Sequence, residues 1–142
     1  MQVKIKRIDK SLPLPEYQTK GSVAFDFYTR KETTIESHGF KMLPTNLIIE
    51  TPPGYALVIA ARSSSAKKKG LNMRNGIGVI DQDYCGEGDE IHLLIQNLTD
   101  SAVQIEKGER LAQGIFVHID TADWNEVDNM ESDDRGGFGS TG

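Results

Sequence analysis

The sequence contains a single cysteine, Cys85. No intrachain disulfide is possible, and such usage fits a reducing compartment, so a cytoplasmic protein is expected. Long apolar runs are also missing. The longest, Tyr55 to Ala61, falls far short of the about 20 residues a membrane-spanning helix needs. The first six residues alternate apolar and polar side chains, Lys4 and Lys6 among the latter, unlike a secretory leader. Basic residues are outnumbered, 16 Lys and Arg against 21 Asp and Glu, for a net charge of −5. That balance argues against a nucleic-acid coat, which needs a broad basic face. Neither a stable nucleic-acid partner nor a membrane is expected. A small anionic ligand remains open, because a few well-placed arginines and backbone N–H groups can hold one. The histidines His38, His92 and His118 lie in unrelated segments and lack the short spacing of metal ligands.

What is present suits one domain. The chain has 142 residues, 37% hydrophobic and 26% charged, enough to bury a core without disulfides or a structural metal. The dominant periodicity is two, so strands are expected around Val3/Ile5, 47–49, 55–60, 91–95, Val103/Ile105 and 115–119. Pro52-Pro53-Gly54, Asn75-Gly76, Gly86-Glu87-Gly88, 97–100 and Lys107-Gly108 punctuate them as turns. No window of helical length carries a helical stripe. Ser64 to Lys69 predicts a single helical turn closed by Gly70. Many short strands with frequent turns predict an all-β sandwich, jelly roll or small barrel. From Thr121 onward the composition turns polar, acidic and then glycine-rich, the pattern of a flexible tail or of a flap that orders on a ligand.

Three segments carry chemistry. Arg62-Ser63-Ser64-Ser65 follows a strand; it reads either as a phosphate cradle or as a serine-rich helix cap. Asn75 to Glu87 reads as a hairpin-like stretch with Asp81 at the end of an apolar run. Asp81 could be a partly desolvated general base or a turn-forming residue. Lys107 to Gln113 opens a strand in which Arg110 and Gln113 stand three apart. Strict alternation would set them on opposite faces, and only a local irregularity would aim both at one ligand.

Taken together, these segments resemble the five ordered motifs of the trimeric deoxyuridine triphosphate pyrophosphatase (dUTPase) family. The motifs are Ala24-Phe25-Asp26-Phe27-Tyr28, Ala61-Arg62-Ser63-Ser64, Gly78 to Glu87, Gly108 to Gln113, and Gly136-Gly137-Phe138-Gly139-Ser140-Thr141-Gly142. The resemblance spans nearly the whole chain and implies a β jelly roll (β-clip) over residues 1–120, with a glycine-rich tail over 121–142 closing on the active site. It implies a homotrimer whose sites are shared between subunits. The implied reaction is hydrolysis of dUTP to dUMP and pyrophosphate, which keeps uracil out of DNA and supplies dUMP.

Residue by residue, Asp81 matches the catalytic base and Tyr84 the ring that packs under the deoxyribose. Asn75 with the backbone of Gly78, Val79 and Ile80 matches the uracil-reading hairpin. Arg62, Ser63, Ser64, Arg110 and Gln113 match groups around the phosphates. Asp26 matches a carboxylate that holds Mg²⁺ through water, the ion riding mainly on the triphosphate. Phe138 and Gly139 would close over the uracil, and Ser140 and Thr141 would contact the γ-phosphate. Some positions depart from the family pattern. Ala24 and Ser64 stand where glycine is usual or frequent, and Arg135 lies two positions nearer Phe138 than the usual fifth-motif arginine. Cys85 replaces a residue that is often arginine or glutamine.

Deoxycytidine triphosphate deaminases share the fold but need a glutamate on the strand after Asp81. Counting back from Asn97, that position is Leu94. A non-catalytic nucleotide- or protein-binding jelly roll would have no need to keep Asp81.

Overall fold

The computed structural model describes residues 1–137. Eleven strands and one short helix follow in order: β1 (Ile5–Arg7), β2 (Phe25–Tyr28), β3 (Thr33–Ile35), β4 (Phe40–Pro44), β5 (Leu47–Ile49), β6 (Tyr55–Ala61), α1 (Ser63–Lys69), β7 (Leu71–Met73), β8 (Ile77–Ile80), β9 (His92–Asn97), β10 (Val103–Ile105) and β11 (Arg110–His118). The larger sheet runs β2-β11-β6-β8 and the smaller β4-β9-β7, while β1-β5 and β10-β3 form separate two-stranded ladders. Every pairing is antiparallel. This is an all-β jelly-roll architecture.

The period-two signal reflects real burial. On β9, Leu93 and Ile95 are buried while His92, Leu94 and Gln96 are less so; on β6, Leu57 and Ile59 take the inward positions. These side chains join Phe25, Phe27, Leu43, Leu71, Ile105 and Leu111 in one core fed by every ladder, the β1–β5 pair through Leu47 and Ile49. Gly114 shows how close the packing is. A Cβ there would stand 2.7 Å from the rings of both Phe25 and Phe27, so β11 passes the aromatic pair only as bare backbone.

The helix forms where the sequence places it. Its three consecutive lysines lie in the last turn, where positive charge meets the negative end of the helix dipole. Gly70 closes it in the left-handed region at φ 62°, its N–H returning to the Ala66 and Ser65 carbonyls.

One expectation requires correction. Residues 75–87 do not close as a hairpin, because no strand follows β8 before β9. β7 pairs with β9 in the smaller sheet, whereas β8 pairs with β6 in the larger one. The Asn75-Gly76 turn therefore crosses between sheets, with Gly76 at φ 73°. It leaves β8 at the edge of its sheet, with one side unpaired among the described residues. After β11, residues 121–137 are exposed and contain neither strand nor helix. No helix among the described residues is long and apolar enough to cross a membrane.

Candidate active site

The first, second and fourth motifs meet at one carboxylate. Asp26 on β2 is buried, its side chain 7% exposed. Its Oδ1 accepts from Arg62 Nε at 2.7 Å and its Oδ2 from Arg110 Nη1 at 3.0 Å. Arg62 follows the end of β6 and Arg110 begins β11, so strand pairing brings together residues 36 and 84 positions from Asp26. Two guanidiniums on one carboxylate leave a net positive corner, which suits an anion.

The irregularity that this geometry needs is present. The β11–β2 register shifts between Arg110 and Ala112, after which Gln113 faces Asp26 across the ladder. A bulge re-aims one side chain relative to the next. Arg110 thereby reaches the same carboxylate that Gln113 faces, although plain alternation would part them. Gln113 Nε2 also donates to the Ala61 carbonyl at 3.3 Å, beside Arg62.

The serine-cap reading of 63–65 is not what forms. Arg62 itself occupies the N-cap position, with extended backbone and no side-chain cap hydrogen bond. Ser65 instead turns inward, donating from Oγ to the Leu111 carbonyl at 2.8 Å, and Ser64 Oγ lies 3.4 Å from Arg62 Nη1. Arg62, Ser64, Lys68, Gly108 and Arg110 line a cleft of about 310 Å³. Lys69 is drawn off to Glu109 at 2.8 Å, so it is no free solvated charge. Ser63 opens α1 and is exposed.

Asp81 lies elsewhere. It follows β8 at the mouth of a second cleft, about 740 Å³, shared with Tyr55, Val79, Ile80 and Asp120. Ile80 pairs with Leu57 on β6. Arg62 stands five residues further along that strand, roughly 16 Å at the usual rise of a strand. Asp81 is exposed, so its own chain does not supply the desolvation expected for a base. Gly78 sits where a Cβ would come within 3.3 Å of Ile59, and Val79 and Ile77 project outward, both more than half exposed. Asn75 stands on the turn before β8 and is exposed. Tyr84 presents its ring, 39% exposed, and its hydroxyl donates to the Glu90 carbonyl at 3.2 Å.

Glu90 belongs to a cluster that sequence reasoning missed. Arg30 grips its carboxylate with Nε at 2.8 Å and Nη2 at 2.7 Å, and the Asn46 N–H donates to the same group at 2.7 Å. Burial pushes the Glu90 carboxyl up, but the Arg30 guanidinium and the Asn46 N–H together outweigh it and hold the group below its ordinary value. The partners are 60 residues apart, and neither segment carries a local pattern that points to the other.

The tail is separate again. Arg135 is exposed, and Phe138, Gly139, Ser140 and Thr141 lie outside the described residues. Among the described residues no cluster of three or more His, Cys, Asp or Glu side chains could hold a metal ion. His38 pairs with Asp100 at 2.9 Å, His92 Nδ1 lies 2.7 Å from the Glu90 carbonyl, and His118 packs edge-on against Tyr55.

Known proteins resemble the chain along most of its length. The dUTPase family model matches residues 10–142. The deoxyuridine 5′-triphosphate nucleotidohydrolase of Lactococcus lactis subsp. lactis (strain IL1403) is 39% identical over 145 residues, covering 99% of this chain and 95% of that protein. The enzyme of the same name from Nautilia profundicola is 37% identical over 144 residues, covering 100% and 99%. Among solved structures, the dUTPase of Streptococcus mutans superimposes with a TM-score of 0.77 at 30% identity, covering 84% of this chain and 98% of that one. The dUTPase of Staphylococcus bacteriophage 80alpha, solved with dUPNHPP, shares the fold with a TM-score of 0.87 at 24% identity, covering 99% and 98%. By motif order, fold and these matches along its length, the chain belongs to the dUTPase family.

Proposed function

We propose that this protein hydrolyses dUTP to dUMP and pyrophosphate at sites completed between copies of the chain in a homotrimer. The observation that carries the reading is the separation of two half-sites. One is a doubly arginine-bound carboxylate beside a phosphate-sized cleft, and the other is an open carboxylate beside an unpaired strand edge. With Arg62 and Asp81 at opposite ends of the β6–β8 ladder, a second copy bringing its Arg62 cleft to the first copy's Asp81 would join them.

In such a site β8 reads the base. Its free edge offers backbone N–H and C=O groups outward, and Asn75 adds an amide at the turn. Gly78, Val79 and Ile80 line the uracil, and the Tyr84 ring walls the deoxyribose where a ribose would place its 2′-hydroxyl. A hydrogen-bonding site of this kind rejects mismatched analogues strongly, because the wrong base strands buried polar groups. Arg62, Ser63, the Ser64 backbone N–H, Arg110 and Gln113 orient the triphosphate. Asp81 takes a proton from water as the water oxygen attacks the α-phosphorus in line. The bond from that phosphorus to the α–β bridging oxygen breaks, and pyrophosphate leaves with its electron pair. Positioning and charge stabilisation supply most of the rate. Arg135, Phe138, Gly139, Ser140 and Thr141 would close over the bound nucleotide and exclude water.

The donor set suits a hydrated Mg²⁺ carried by the triphosphate, not a caged one. Asp26 is the one carboxylate in the arginine cluster, and both of its oxygens already accept from guanidiniums. It would therefore reach the ion only through water, the common habit of Mg²⁺. When bound, the ion neutralises developing charge on the phosphate oxygens. A reducing cytoplasm suits the lone free Cys85.

The deaminase alternative is not favoured: the matched family and the named relatives are dUTPases, and the Leu94 side chain cannot carry a proton. The test is product analysis of the purified protein with Mg²⁺ and dUTP, dCTP, dTTP or UTP. Expected are dUMP and pyrophosphate from dUTP, with the other three untouched. Ammonia from dCTP would transfer the chain to the deaminases, and no turnover of any nucleotide would reject the reading.

A further inference from the structure

We infer that Arg30 is a positioning residue for sugar selection, acting through Glu90 on the hydroxyl of Tyr84. The inference rests on the reading of Tyr84 as the wall of the deoxyribose pocket.

The connection is continuous. Tyr84 sits in the segment between β8 and β9, and its ring is 39% exposed. Its side-chain hydrogen bond among the described residues is made by the hydroxyl at its tip. That hydroxyl donates to the backbone carbonyl of Glu90 at 3.2 Å. The position of the carbonyl depends on what holds Glu90. Towards the loop, its own N–H bonds only to Gly88, within a tight turn whose other internal links are Asp89 N–H to the Gly86 carbonyl and Gly86 N–H to Asp89 Oδ2. That turn is otherwise tethered by the exposed Lys6–Glu87 pair, a weak restraint at the surface.

On the strand side the Ile91 N–H, in the same peptide as the carbonyl, donates to the Leu47 carbonyl at 2.9 Å; the other restraint is the Glu90 side chain. It is gripped by both ends of the Arg30 fork and by the Asn46 N–H. Asn46 is held in turn: it adopts φ 74°, accepts from the Asp9 N–H at 2.6 Å through Oδ1, and donates to the Asp9 carbonyl at 2.9 Å through Nδ2. Arg30 is anchored through its own N–H to the Pro44 carbonyl at 2.8 Å. A planar two-point fork fixes an acceptor's orientation as well as its distance. The Glu90 carbonyl also faces His92 Nδ1 at 2.7 Å; an oxygen with two lone pairs can serve both donors.

Discrimination against a 2′-hydroxyl depends on the ring staying where it leaves no room. Releasing its tip lets the ring rock and admits the larger sugar. The selectivity of kcat/KM for dUTP over UTP is therefore the quantity to read, since a purely structural role for Arg30 would lower stability without moving that ratio. Tyr84→Phe removes only the tether. It is expected to lower the dUTP-to-UTP ratio about fivefold to tenfold, the scale of one hydrogen bond. Arg30→Met is expected to lower it in the same direction, and the double variant by no more than the larger single effect, because both cut one chain of contacts. Tyr84→Ala serves as the control and should lose more selectivity than either. Should Arg30→Met fold poorly, Tyr84→Phe still decides, because it leaves the buried pair intact. An unchanged ratio in Tyr84→Phe, beside a lost one in Tyr84→Ala, would overturn the inference and spare the sugar-wall reading. An unchanged ratio in Tyr84→Ala would overturn both. Independent, multiplying effects in the double variant would show that Arg30 does not act through Tyr84.

Discussion

Replacing Asp81 with asparagine is expected to lower kcat for dUTP about a thousandfold, within the range attributed to a positioned general base. The amide keeps the size of the side chain but cannot accept the proton that water must lose. Nothing in the fold depends on the charge. Asp81 is exposed, and among the described residues its carboxylate takes part in no hydrogen bond or ion pair. Thermal stability should therefore match the parent, and dUTP should bind with nearly unchanged affinity. Single-turnover rates beside equilibrium binding separate these effects. Turnover near the parent rate would remove Asp81 from the role of base, and a lost affinity would make it a binding residue instead.

Asp26→Ala is expected to fail differently, in stability and in phosphate handling together. Among the described residues the carboxylate is the only counter-charge placed between Arg62 and Arg110, and it is almost wholly buried. Its loss leaves two guanidiniums facing one another across a cavity. Removing one partner of a buried ionic cluster costs about 3 kcal/mol at the low end of the measured range. The low end applies because both arginines keep partial access to water, at 27% and 37% exposure. The thermal midpoint should fall by roughly 10 °C. The arginines, no longer aimed, should also bind the triphosphate more weakly, raising KM for dUTP. Calorimetry and steady-state kinetics on the same preparation check both halves. A variant with the parent's midpoint and KM would show that the arginines are positioned by something else.

How much of this was legible beforehand depended on the range of the signal. β6 is the longest apolar run of the sequence and became a central strand bounded by the same residues, Tyr55 and Ala61. The helical turn and its glycine stop were equally plain, because capping and left-handed backbone are local matters. β2, β3, β4 and β7 were not anticipated. β3 and β7 are three residues long, β2 buries Phe25, Asp26 and Phe27 in succession, and β4 exposes Phe40, Lys41 and Met42 in succession, so none offers a usable alternation.

Partner choice was harder still. The stretch from Asn75 to Glu87 looks like a hairpin, yet β8 finds its partner in β6 and residues 81–91 form no strand. The two-arginine cluster on Asp26 needed the β11 bulge, which alternation alone argues against. The sequence could say only that such an irregularity would be required. The Arg30–Glu90 pair lay beyond reach, since its existence depends on how the turns around Asn46 and Glu90 come together. Family resemblance named the residues proposed to touch substrate; it was silent on those that hold them in place.

The most direct measurement is complementation between two inactive chains, Asp81→Asn and Arg62→Gln, co-assembled in equal amounts. If each site takes Asp81 from one copy and Arg62 from another, random assortment in a trimer makes about a quarter of the sites fully native. Roughly that share of the parent activity should return when the two are mixed. Recovery no greater than the sum of the separate preparations, in particles shown to contain both chains, would place Asp81 and Arg62 in the same copy's site and contradict the account.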